Sequence, residues 1–203
     1  MARFKRPKAQ KSKAQRGSDP RLQALLLQAQ ALREQGQFLD AISMLHQAQE
    51  RDNKSHPVQL LLAATYHQLG RVDEAIQATQ ASLALQPNDT QSMKILGAAL
   101  IDKGDHDTAV RHLKKAWGLT KKDPQILRLL CVCLNAMGRH PETLSLLTAY
   151  THTNNSPELL ELACTAYQHE GREEDAITMM EQALTHHPDS ALHLCLMANA
   201  QAN

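Results

Sequence analysis

Aromatic side chains are scarce: two Phe, three Tyr and one Trp, 3% of 203 residues. So few rings leave nothing over for a base-stacking platform on single-stranded nucleic acid. Runs of β-branched and aromatic residues at period two are also missing, which points to an all-α chain. The four cysteines follow no disulfide-framework spacing, so the expected setting is reducing and cytoplasmic. No apolar run approaches a membrane span, and the first residues lack the hydrophobic region of a secretory signal. A glycine-rich phosphate loop, a Gly-x-Ser-x-Gly elbow and a His-Glu-x-x-His pair are absent too. The expectation is a non-enzymatic chain with no cofactor and no metal.

Acidic charge is missing from the start of the chain. No Asp or Glu precedes Asp19, while seven of the 22 Lys and Arg lie in the first 16 residues. The rest carries 15 basic against 21 acidic residues, a net of −6, although the whole chain stands at +1. Residues 1–18 hold Pro7, Gly17 and one aromatic, Phe4, with too little apolar surface to offset the entropy of ordering. They read as a disordered basic tail. One reading makes it a docking arm for nucleic acid or an anionic surface; the other makes it a solvated leader. Nothing aromatic interleaves with the charges, which favours the leader. Its low amphipathic content argues against a mitochondrial presequence.

What the chain has instead is a period. The phrase Gly70-Arg71-Val72-Asp73-Glu74-Ala75-Ile76 returns as Gly36…Ala41-Ile42, Gly104…Ala109-Val110 and Gly171…Ala176-Ile177, and more weakly as Gly138…Thr143-Leu144. These glycines are 34, 34, 34 and 33 residues apart. A near-fixed period of this size denotes a stack of like units, each touching only its neighbours. Seven residues before each glycine stand small residues: Ala29, Ala63, Gly97, Cys131 and Cys164. Four before it stand large ones: Leu32, Tyr66, Leu100, Leu134 and Tyr167. Nine after it come Leu45, Thr79, Leu113, Leu147 and Met180; twelve after it come Ala48, Ser82, Ala116, Tyr150 and Ala183.

That spacing predicts two amphipathic helices joined by a tight turn in every unit. Between units stand breakers: Pro57, Pro87-Asn88-Asp89, Asp123-Pro124, Asn154-Asn155-Ser156-Pro157 and Pro188-Asp189. Order is expected to begin with Asp19 as N-cap and Pro20 at the first helical position. Pro141 opens the second helix of the fourth unit. There Thr143 and Tyr150 take two places that are otherwise mostly small, which predicts a splayed hairpin.

A small residue, a large one, a turn glycine, an alanine, a second small residue and a proline together resemble the tetratricopeptide repeat. The likeness covers about residues 22–190, in repeats of about 22-55, 56-89, 90-123, 124-156 and 157-190. The tryptophan common near the start of the motif is replaced by Leu25, Gln59, Met93, Leu127 and Leu160. The resemblance implies a right-handed α-solenoid whose first helices line a concave groove, and a protein-interaction scaffold that holds a peptide or protein there.

The helix face opposite the packing positions gives the groove set. Ten residues before each glycine it holds Leu26, Leu60, Lys94, Arg128 and Glu161, and six before it Gln30, Ala64, Ala98, Val132 and Thr165. Three before it stand Arg33, His67, Ile101, Asn135 and Gln168. The lysine and asparagine clamp of the family's chaperone-tail binders is not reproduced. The groove runs instead from apolar (Leu60, Leu61, Ala64) to basic (Lys94, Arg128) to acidic (Glu161). A peptide with apolar anchors and an acidic group near its middle fits that order; the alternative is that both cations are ordinary solvated residues.

The remaining candidates for chemistry read as structure. Cys131 and Cys133 point to roughly opposite helix faces, whereas a zinc site needs convergent ligands. Cys131 and Cys164 sit on the small packing position, and Cys195 has no evident partner. His186-His187 is expected in a turn and Asp105-His106-Asp107 in a hairpin. Tyr66, Tyr150, Tyr167, Phe38 and Trp117 are expected to pack within or between repeats.

Residues 191–203 read as a terminal helix that begins a sixth unit. Leu192, Leu194, Cys195, Leu196 and Met197 surround nearly its whole circumference, so a partner or a second copy would cover it as a homodimer, or the chain would continue. The rival reading follows: an N-terminal module of a larger sulfotransferase- or glycosyltransferase-like enzyme, serving substrate presentation or dimerisation. For the tail, the leader reading predicts that deleting residues 1–16 leaves nucleic-acid affinity unchanged across a salt titration. A salt-dependent loss would establish the docking arm.

Overall fold

A computed structural model describes residues 19–120, 123–151 and 156–186; side chains are described except those of 151 and 182–186. The basic tail, the terminal helix 191–203, Ala183 as a packing side chain and Cys195 all lie outside this set. Within it are ten α-helices and no strand: α1 Pro20–Glu34, α2 Phe38–Arg51, α3 His56–Gln68, α4 Val72–Leu85 and α5 Thr90–Lys103. Then come α6 His106–Thr120, α7 Pro124–Ala136, α8 His140–Thr151, α9 Pro157–His169 and α10 Glu173–His186. They form five antiparallel hairpins. The turn expected at His186 is helical, because α10 continues through that residue.

Local chemistry sets the helix ends. Asp19 accepts from the Arg21 N–H at 3.1 Å, and Asp123 from the Gln125 N–H at 2.9 Å, with Pro20 and Pro124 following. Asp89 accepts from the Ser92 N–H at 2.7 Å and from its hydroxyl at 2.5 Å. Burial pushes the Asp89 carboxyl up, but the two Ser92 bonds and His56 hold it below its ordinary value. Within each hairpin the first helix ends in a Schellman turn. At the second, for example, the Gly70 N–H reaches His67 O at 3.0 Å and the Arg71 N–H reaches Tyr66 O at 2.9 Å. The five turn glycines have φ between 65° and 83°, a region costly for any residue with a Cβ.

Packing follows two stripes on each first helix. The position seven before the glycine faces the second helix of the same hairpin, Ala63 clustering with Ala75 and Ala78 and Cys131 with Leu144 and Leu147. Four before it, Tyr66, Leu100 and Leu134 are buried and Leu32 and Tyr167 half-buried. A second stripe, twelve, eight and five before the glycine, faces the preceding hairpin. It reads Val58-Leu62-Thr65, Ser92-Leu96-Ala99, Ile126-Leu130-Cys133 and Leu159-Ala163-Ala166, all buried. In α1 the same places are Ala24, Gln28 and Ala31, all exposed, since no described hairpin lies against them. Cys131 and Cys133 accordingly pack in different core clusters, on the fifth-hairpin and third-hairpin sides of α7.

The backbones of successive first helices, α1 to α3 to α5 to α7 to α9, approach one another closely. Those of successive second helices stand farther apart and meet only through side chains such as Trp117–Tyr150 and Lys114–Glu142. The first helices therefore form the tighter inner layer and the second helices the wider outer one, which curves the stack. The fourth hairpin was expected to be splayed, and α7 and α8 do pack more loosely than α1–α2, α3–α4 or α5–α6, but α9 and α10, with Ala176 in place of Thr143, are nearly as loose. Tyr150 lies edge-on to Trp117 with centroids 5.8 Å apart, and the buried Thr143 hydroxyl has no hydrogen-bond partner.

Two glycines give predictions of opposite sign. A Cβ at Gly97 would lie 2.5 Å from Leu113 Cδ2, whereas one at the exposed helical Gly118 meets nothing within 4 Å. Gly97→Ala should cost about 1–3 kcal/mol in denaturant unfolding, and Gly118→Ala should stabilise by about 0.5–1 kcal/mol. Burial raises the Cys131 and Cys164 thiols from 9.0 to about 12, and Cys133 to about 11. Peptide mapping after alkylation at pH 8 should find all three unmodified in the native chain. Their contribution to stability should be complete below pH 9 and fall as pH rises toward those values.

Candidate functional site

The inner layer exposes the three rows of side chains that the helical spacing singled out, and leaves each of them open. Leu26, Leu60, Lys94 and Arg128 are half-buried and Glu161 exposed. Ala64, Ala98, Val132 and Thr165 are half-buried and Gln30 exposed, while Arg33, His67, Ile101 and Asn135 are half-buried and Gln168 exposed. In the middle row Ala64, Ala98, Val132 and Thr165 each stand between two buried residues, whereas the row nearest the turns has an exposed residue on its turn side. A small apolar floor (Ala64, Ala98, Val132) thus runs along the first helices between two more polar rows.

The row nearest the turns is tied across repeats. Arg33 Nη2 and Nε donate to Gln68 Oε1 at 2.9 and 3.1 Å, and His67 Nε2 lies 2.9 Å from Asp102 Oδ2. Asn135 Nδ2 donates to Leu162 O at 2.9 Å. Each bond joins a first helix to the next one, so these side chains fix the spacing of the inner layer. His67 and Asn135 are therefore committed to the scaffold as well as facing the groove. Between them Ile101 interrupts the polar row with an apolar side chain.

The row farthest from the turns carries the charge. Lys94 Nζ lies 3.1 Å from Asp123 Oδ2, with the two side chains 24% and 22% exposed. The expected pair of groove cations is thus reduced, since Lys94 is neutralised by the carboxylate that also caps α7. Spacing from the glycine could not reveal this, because Asp123 belongs to the following hairpin. Arg128 donates from Nε to Gln125 Oε1 at 3.2 Å and has no ion pair within 4 Å among the described residues, although, after the Ser156 bond, its charge helps hold the Glu158 carboxyl below its ordinary value. Glu161, at the same place one hairpin later, has none either. The groove therefore offers one available cation and one available carboxylate on neighbouring hairpins, beyond an apolar stretch from Leu26 to Ala98.

Among the described residues no three His, Cys, Asp or Glu are grouped to hold a metal, and no helix is long and apolar enough to cross a membrane. His106 begins α6, whose N–H of Thr108 is capped by Asp105 at 3.1 Å. Tyr66 and Tyr150 are buried and Tyr167 half-buried, each in the core packing.

No curated protein matches the chain. Among solved structures it is similar to a thermophilic tetratricopeptide repeat protein, TTC0263, of Thermus thermophilus (19% identity, TM-score 0.63, 90% of this chain and 100% of that one). It is also similar to YrrB, described as a TPR protein with an unusual peptide-binding site (21%, 0.71, 84% and 88%). A third is MamA (19%, 0.74, 81% and 91%). At these identities the likeness is one of fold. Family models described as tetratricopeptide repeat match residues 32–99, 100–163 and 159–190. With the five Schellman hairpins and the curved double layer, this places the chain in the tetratricopeptide repeat family.

Proposed function

We propose that the chain is a protein-interaction scaffold that holds a segment of a partner polypeptide along its inner layer, in a reducing, cytoplasmic setting. The observation that carries this reading is the open row on the first helices. Every hairpin leaves the same three positions half-buried or exposed, and in α3, α5, α7 and α9 the middle one (Ala64, Ala98, Val132, Thr165) is flanked on both sides by buried residues. An uncovered apolar strip with a few fixed polar groups is the form that polypeptide-binding grooves take.

The chemistry narrows the partner. Leu26, Leu60, Ala64, Ala98 and Val132 offer apolar contact, and Arg128 offers a guanidinium for a carboxylate. Lys94 contributes less than its charge suggests, because an incoming acid would compete with Asp123 for it. The segment that fits has apolar residues toward the α1–α5 end and an acidic one toward α7. The three free, buried thiols are in keeping with a reducing compartment.

The test selects peptides from a random 12-residue display library on the intact chain and measures their affinity for variants. Arg128→Glu should weaken acidic binders by about tenfold or more, and Ala98→Glu should weaken all of them, with unfolding curves unchanged for the first. Lys94→Glu should instead lower stability, by breaking its pair with Asp123. Binders indifferent to both Arg128→Glu and Ala98→Glu would sink the groove assignment.

A further inference from the structure

The junction between the fourth and fifth hairpins is bridged near its turns by His140 stacked on His169, with centroids 4.6 Å apart, but it lacks a crossing side chain at the place that His46 holds in the first junction. On the outer side of each earlier junction a long side chain crosses from one hairpin to the next. His46 Nε2 lies 3.0 Å from the Tyr66 hydroxyl, Lys103 Nζ 2.7 Å from Asp73, and Lys114 Nζ 2.8 Å from Glu142. The first and last junctions are otherwise built alike. Tyr66 and Tyr167 occupy the same place in their hairpins, and Arg71 and Arg172 lie over their rings at 4.9 and 5.1 Å. The residue corresponding to His46, ten after the turn glycine, is Thr148. Its hydroxyl is turned back to Leu144 O at 2.7 Å, and it is too short to reach Tyr167.

A cleft of about 690 Å³ stands where the crossing side chain would be. Pro141, Leu144 and Ala149 give it an apolar wall, and Thr148, Tyr167 and Glu170 its polar groups. Neither the Tyr167 hydroxyl nor the Glu170 carboxylate has a hydrogen bond or ion pair among the described residues. Arg172, the one cation in the wall, is held by Asp175 at 2.7 Å. Glu173 and Glu174, both exposed, follow at the start of α10. The place that corresponds to Glu170 in the second hairpin is Leu69, so the carboxylate is a feature of this junction.

We propose that this cleft is a second binding site, on the outer layer, that receives a lysine or arginine side chain from a basic polypeptide segment. The aliphatic stem lies on Leu144, Pro141 and Ala149, and the cationic head donates to the Tyr167 hydroxyl and to Glu170, as His46 meets Tyr66 in the filled junction. An anionic side chain is repelled by Glu170 and the α10 carboxylates. An apolar one leaves the hydroxyl and the carboxylate covered without a partner, which is unfavourable.

Residues 1–16 of this chain, with seven cations and no acid, make a suitable probe as a synthetic labelled peptide. Its binding to the full chain is followed by fluorescence anisotropy at pH 8, where an introduced imidazole is neutral. Thr148→His rebuilds the crossing side chain without altering any carboxylate, and should weaken binding by about tenfold or more. Glu170→Gln should weaken it by several-fold, and Arg128→Glu, in the inner groove, should not weaken it. No binding to the wild type, or equal binding to the wild type and Thr148→His, would overturn the proposal. So would loss through Arg128→Glu. The Thr148→His chain should also unfold at the same or a higher temperature, which separates a filled cleft from a damaged fold.

Discussion

Close approach of helices at small residues is the constraint from which the rest of this structure follows. Gly97 shows it most plainly: the Leu113 side chain already occupies the space that a Cβ would need. Ala63 and Cys131 do the same work in other hairpins, fully buried against their second helices. Once two helices nest at that distance, the φ of the turn glycine fixes how one leads into the other. The next hairpin must then cover the second stripe. A hairpin of this kind cannot bury both stripes alone, so it is stable only as part of a stack.

The curvature has a related origin. First helices approach one another backbone to backbone from hairpin to hairpin, whereas second helices meet only through long side chains, so the inner layer is shorter than the outer. Polar bonds such as Arg33–Gln68 and His67–Asp102 hold that inner spacing, and on the outer side His46–Tyr66 and Lys114–Glu142 span the wider gaps. These exposed bonds contribute modestly to stability. Their consequence is geometric: they decide which surface side chains are already engaged and which remain available to another molecule. Lys94 falls in the first group and Arg128 in the second.

The fourth hairpin departs from the pattern for a local reason. Thr143 and Tyr150 are larger than the residues that most other hairpins hold at the same places, and the helix that carries them stands away from its neighbour. Trp117 takes up part of the gap by its edge-on contact with Tyr150. On the other side of α8 the gap is left open toward Tyr167 and Glu170.

The period, the all-helical class, the turn glycines, the Asp19 cap and the first packing stripe were legible in the sequence, because each depends on residues a fixed distance apart within one hairpin. The looseness of the fourth hairpin was legible for the same reason. The second stripe was present at i, i+4 and i+7 in each first helix, but its meaning requires knowing that a preceding hairpin lies against it. Whether a groove cation is engaged could not be read, since Lys94 and Asp123 belong to different hairpins and meet only once the stack has formed. The sequence by itself determined what each hairpin is, through short-range sterics and capping. Only the tertiary structure decided what each surface offers, because side-chain pairing between hairpins depends on how far apart the stack sets them.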